Sequence, residues 1–147
     1  MNLERISNFA PLPIRVVAGI LFIAHGLPKF ENIQGLQGFI GSAGIPQELA
    51  LPIALLEVIG GIALLLGILT RITSILFAIQ MAAIILLMKS SGGLTGEEGY
   101  ELELLLMVIS ISLLLSGPGR VSIERDLLKR ELFPKTVYRK KQEAESK

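Results

Sequence analysis

An almost unbroken apolar run from Leu49 to Thr70, with a single acid, Glu57, set inside it, constrains this chain more than any other stretch. At about 1.5 Å of helical rise per residue it reaches across a hydrocarbon core of about 30 Å, so it reads as a membrane-spanning helix. A carboxylate at the centre of a span costs about 2.5–3.5 kcal/mol on insertion scales, so Glu57 is expected to face a partner, a cavity or another helix rather than lipid. Gly60 and Gly61 follow at steps of three and four, on Glu57's own face. Glycines there let another backbone come close, which turns this face inward.

Three further apolar runs, Pro13 to Phe30, Ile72 to Met88 and Tyr100 to Gly117, approach the same length. Each is near the minimum of about 17 to 25 residues that a spanning helix needs, and none carries the polar face of a soluble bundle. The chain is 51% apolar and 18% charged, and most charges lie between or beyond the four runs. The expectation is therefore an all-α integral membrane four-helix bundle. Residues 1–133 are expected to form the transmembrane domain and 134–147 a polar tail. The first run is interrupted by His25, Pro28 and Lys29 and is read as a bundle member rather than a cleaved signal. Cysteine is absent, which excludes disulfides, thiolate zinc sites and iron–sulfur clusters, and one histidine cannot ligate a bis-histidine haem.

Polar residues inside the runs are the candidates for function. In the first span Arg15, Ala18, Phe22, His25 and Lys29 recur at steps of three or four and share one stripe. Arg15 and Lys29 lie near helix ends, where long side chains can snorkel to the interfaces, and His25 has packing and functional readings alike. The Gly-rich segment Glu31 to Glu48 carries Ile33, Leu36, Phe39 and Ile40 at helical intervals, which predicts a short amphipathic helix roofing the bundle. The Gly67 to Arg71 link joins the second and third spans as a tight antiparallel hairpin. Gln80 reads as an interhelical hydrogen bond in the third span. Glu101 and Glu103 open the fourth span about 200° apart on a helix, so at most one points squarely inward. After Gly117-Pro118-Gly119, Ser122 is expected to cap a second interfacial helix ending before Pro134.

Four spans place both termini and the Arg71 turn on one side, with twelve of the fourteen Lys and Arg residues when Arg15 is counted there. The positive-inside rule makes that side the cytoplasm; the membrane expected is the plasma membrane. His25, Lys29, Glu57 and Glu101 or Glu103 then fall in the outer half, where three helices can converge on one outward-opening pocket; an internally satisfied packing network is the other reading of the same residues. Glu57 and His25 are the candidate catalytic residues, and Lys29, Glu101, Glu103 and Arg15 the candidate substrate-binding ones. No metal site or nucleic-acid surface is expected.

The run HGLPKF at His25 to Phe30, Gly44 to Pro46, LLEVIGG at Leu55 to Gly61, GILTR at Gly67 to Arg71, Tyr100-Glu101 and GPGRVSIE at Gly117 to Glu124 together resemble the DoxX family of membrane proteins, in the family's order over about residues 13 to 126. By position Arg15, His25, Lys29, Glu57, Glu101 and Arg120 match the family's recurrent polar residues. Glu103 does not belong to that pattern, and Glu124 stands where the family usually has an aspartate. The resemblance implies a membrane subunit of a redox system, similar to subunits of thiosulfate:quinone oxidoreductase and to membrane partners of thiol and superoxide defence enzymes. The function read from this is binding of a quinone or a small sulfur-containing substrate in the outer pocket, Lys29 and His25 supplying positive charge and hydrogen bonds and Glu57 and Glu101 passing protons. The other readings are a non-catalytic scaffold for redox enzymes and, more weakly, a transporter or proton path. The partners expected are the bilayer, other redox proteins and further copies of the chain.

Overall fold

In a computed structural model of the chain, residues 9–96, 99–119 and 122–123 are described. Among them are five α-helices and no strands: α1 (Pro11–Glu31), α2 (Ile33–Ser42), α3 (Ala50–Leu66), α4 (Thr70–Leu87) and α5 (Glu101–Ser116), with a single 3₁₀ turn at Gln47–Leu49 before α3. Three are long and apolar enough to cross a membrane: α1, α3 with its preceding turn, and α4. The fourth apolar run becomes α5, which has 16 residues. That falls short of the roughly 20 a spanning helix needs. The roof expected over Glu31 to Glu48 is α2, started by Asn32, whose Oδ1 accepts from the Gly35 amide at 2.9 Å. The interfacial helix expected after Ser122, Arg120, Glu124 and the tail lie outside the described residues.

Polarity runs opposite to that of a soluble bundle. Large apolar side chains such as Ile20, Ile59, Ile79 and Leu115 are exposed, whereas Arg15, Glu57, Thr70, Thr73, Ser74 and Ser110 are buried. Lipid is the medium that makes this arrangement favourable, because helix backbones satisfy themselves and only the polar side chains need partners inside.

The bundle is built from two close pairs, α1 with α3 and α4 with α5. The first pair is a glycine contact: a Cβ at Gly19 would stand 2.7 Å from the Gly61 carbonyl oxygen, and one at Gly61 would stand 2.8 Å from that of Gly19. The second and third runs are joined by a short link, Gly67 and Leu69 both in the left-handed region with φ of 68° and 51°. The tight hairpin expected there is corrected in one respect. α3 and α4 stand apart and are bridged by side chains, because Phe77 fills the space over Gly60 and stacks on Phe22 of α1 with an interplanar angle of 4°.

At the end of the bundle holding the α3–α4 link, Arg15 is 2% exposed and Nη1 donates to the Pro118 carbonyl beyond α5. Gly67 makes room for it, since a Cβ there would run into Arg15 Nη1. Arg15→Ala is expected to lower stability by about 1–3 kcal/mol, the cost of leaving buried partners unsatisfied. Chemical denaturation in micelles checks it.

Candidate functional site

The opposite end of the bundle is organised by Glu57. Its side chain is 2% exposed and turned toward α1, where Gly26 leaves the room: a Cβ on Gly26 would stand 2.8 Å from the Glu57 Cβ. Lys29, in the last turn of α1, pairs with Glu57 Oε1 at 2.5 Å. The amide of Gln80 on α4 donates to that same oxygen. Glu57 Oε2 and Gln80 Oε1 are buried and have no hydrogen-bond partner among the described residues. The carboxylate thus ties three helices together while two acceptors next to it stay open.

α5 adds a second ion pair. Lys89, just past α4, reaches Glu103 Oε1 at 2.8 Å and donates to the Gly99 carbonyl at 3.1 Å; Glu103 Oε2 is buried without a partner among the described residues. Glu101 and Glu103 divide as their helical angle requires: Glu103 turns in, and Glu101 stays exposed in the first turn of α5, where its charge suits the helix N-terminus. His25 is exposed at the edge of the stripe, and its Nδ1 lies 2.8 Å from the Leu21 carbonyl. A carbonyl only accepts, so Nδ1 is the donor in this contact.

Two cavities border this network. A small one of about 70 Å³ is lined by His25, Lys29, Glu57 and Glu103 together with Phe22, Met81, Ile84, Leu102 and Leu106. An apolar groove of about 470 Å³ opens between α3 and α4 beneath α2, walled by residues such as Phe39, Ile53, Leu76 and Ile79, and only Lys29 and Gln80 bring polar groups to it. The groove exists because Phe77 and Gln80 hold α3 and α4 apart.

Of the residues singled out in the sequence, His25, Lys29, Glu57 and Glu103 meet at the small cavity, and Glu101 and Arg15 do not join them. Arg15 sits near the start of α1 and Lys29 in its last turn. The two are about 21 Å apart along the axis at 1.5 Å per residue. Gln80 and Lys89 are site residues to which the sequence alone assigns lesser parts. Gln80 was legible: Glu57 and Gln80 are equidistant from the middle of the Ile68–Leu69 turn, as are Gly60 and Phe77, so an antiparallel hairpin puts each pair side by side.

A family model, DoxX, matches residues 10–90. Among curated proteins the chain is 37% identical over 113 residues to "Putative oxidoreductase CatD" of Bacillus subtilis, covering 77% of this chain and 83% of that one. It is 34% identical over 131 residues to "Uncharacterized membrane protein Rv3486" of Mycobacterium tuberculosis, covering 80% of each. It is 30% identical over 133 residues to "Inner membrane protein YqjF" of Escherichia coli, covering 87% of this chain and 99% of that one. No solved structure matches.

Proposed function

Because the chain belongs to the DoxX family of membrane proteins, we propose that it is the membrane subunit of a redox system and binds a quinone in the groove between α3 and α4. The observation that carries this reading is the join of an apolar groove of about 470 Å³ to a floor made by Lys29 and Gln80. Small-molecule sites usually enclose roughly 300 to 1000 Å³, so the volume suits one. The shape suits a ligand with an apolar tail and a polar, hydrogen-bonding head. Lys29 has donors beyond the one given to Glu57, and Gln80 Oε1 is an open acceptor, so a carbonyl and a hydroxyl on the head both find partners. The name carried by CatD supports redox work.

When bound, a quinone supplies two-electron, two-proton exchange. The chain's own part is to place the head, keep water from the groove, and offer Glu57 as the proton carrier beside it. With one histidine and no cysteine, the chain leaves electron exchange to a carrier on a partner protein. A small sulfur oxyanion fits less well, because two carboxylates line the small cavity and the charge of its lysine, Lys29, is balanced by Glu57.

The topology belongs to the same proposal. α5, which with the flanking Tyr100 and Gly117 comes to the lower end of the spanning range, packs along α4 and completes four spans in the plasma membrane with both termini cytoplasmic, so that the Glu57 network falls in the outer half under α2.

Extraction and mass spectrometry of lipids held by the protein purified in nanodiscs test the reading. Quinone is expected well above its share of the bulk membrane. Gln80→Leu removes the polar floor and Ala83→Trp fills the groove. Each is expected to cut bound quinone about tenfold, the loss of about 1.4 kcal/mol of binding. Arg15→Ala should retain it. Quinone at bulk proportion in the wild type would leave an anchor for partner enzymes as the better account.

A further inference from the structure

The small cavity has a use that the groove does not explain. It is lined by two carboxylates from different helices, each with one oxygen bound by a lysine and the other buried and unpartnered among the described residues. Buried polar atoms are nearly always satisfied, and orphans beside a void mark places where water completes the bonding. At about 70 Å³ the void has room for water, and His25, Lys29, Glu57 and Glu103 among its lining residues bring polar groups to it.

Side-chain exposure is 2% at Glu57, 14% at Glu103, 26% at Lys29 and 28% at Lys89, whose amine is tied to the Gly99 carbonyl in the α4–α5 connection. Among the described residues, the charged or titratable side chains lining the cavity are His25 and Lys29 from α1, Glu57 from α3 and Glu103 from α5, with Lys89 behind Glu103. Glu57 lines the cavity and not the groove, while Lys29 borders both and Gln80 borders the groove.

We propose that this cavity is a water-filled proton link through which Glu57 exchanges protons with the bulk by way of Glu103, and only with the face of the membrane that carries the α4–α5 connection. The inference rests on the quinone reading for its purpose but not for its existence. A proton taken by Glu57 passes to cavity water and then to Glu103, and leaves for solvent past Lys89; uptake runs the same steps backward, so each carboxylate ends as it began. Toward the other face stand the stacked Phe22 and Phe77 rings and the apolar core that they share with Leu64 and Leu113, which holds exchange to one side. Glu103, outside the recurrent family pattern, is thereby given the outer carrier's place, with Glu101 left at the surface.

The test uses the full chain in proteoliposomes freed of quinone, with a rapid pH jump applied to one face at a time and the carboxyl infrared band lost in Glu57→Gln followed in time. Glu57 is expected to respond when the face bearing the α4–α5 connection is jumped and not when the other is. Glu103→Gln is expected to slow that response about 100-fold, at the low end of what a positioned acid–base group contributes. Leu102→Phe, which fills the cavity and leaves both carboxylates in place, should slow it comparably, and it serves if Glu103→Gln does not fold. Equal response from both faces, or an unchanged rate in either variant, overturns the proposal. In native membranes Glu103→Gln should retain bound quinone, so failure of the link and failure of the quinone reading give different results.

Discussion

Lys29→Met is expected to destabilise the bundle by about 3–5 kcal/mol, the range for removing one partner of a buried ion pair. The reason lies in the asymmetry of the pair: Glu57 is 2% exposed and Lys29 26%, so the lysine could reach water alone and the carboxylate could not. Without Lys29, the Gln80 amide is the sole remaining donor to Glu57 among the described residues. The double variant Lys29→Met with Glu57→Gln is expected to recover most of the loss, because it removes the uncompensated charge rather than adding a contact. Chemical unfolding in micelles measures both. A single variant within about 1 kcal/mol of wild type would mean that Glu57 does not depend on this partner.

Gly61→Leu is expected to cost about 3 kcal/mol or more, at or above the top of the usual overpacking range. The first added carbon would already stand 2.7 Å from Ile23 Cγ1 and 2.8 Å from the Gly19 carbonyl oxygen, so α1 and α3 must separate along their whole contact. Separation would also lift Lys29 from Glu57, so bound quinone should fall with stability. Gly38→Ala is the control, because nothing lies within 4 Å of a Cβ there. With no clash to meet, it should be neutral or stabilise by up to about 1 kcal/mol, the helix preference of alanine over glycine. Thermal unfolding followed by circular dichroism separates the two.

The behaviour of Glu57 and its glycines follows from local sequence, and so was legible there. A lone acid in an apolar run demands a partner, and Gly60 and Gly61 mark the face along which one can approach. The three long spans and the helical roof over the Gly-rich segment were readable from run length and spacing for similar reasons. Which acid of the Glu101–Glu103 pair turns inward depends on the rotation of α5, and that is set by packing on α4 rather than by the two residues themselves. Arg15 shares the stripe of Lys29, but the stripe spans the whole helix, so a common face placed the two at opposite ends. The groove was the least accessible feature. It arises from an absence of close contact between α3 and α4, which depends on how Phe77 seats over Gly60 and not on any single motif.

Delivery of a quinone head to the Lys29–Glu57–Gln80 network through the apolar groove between α3 and α4 can be read out with a photoactivatable azidoquinone. The full chain in native lipid would be irradiated with it and the adducts located by peptide mass spectrometry. Labelling is expected on the groove wall, at residues such as Leu76, Ile79 and Ala83, competed by unlabelled quinone and reduced by Gln80→Leu. Adducts spread evenly over the lipid-facing surface, or gathered instead along the opposite crevice at Pro13, Val17 and Val108, would contradict it.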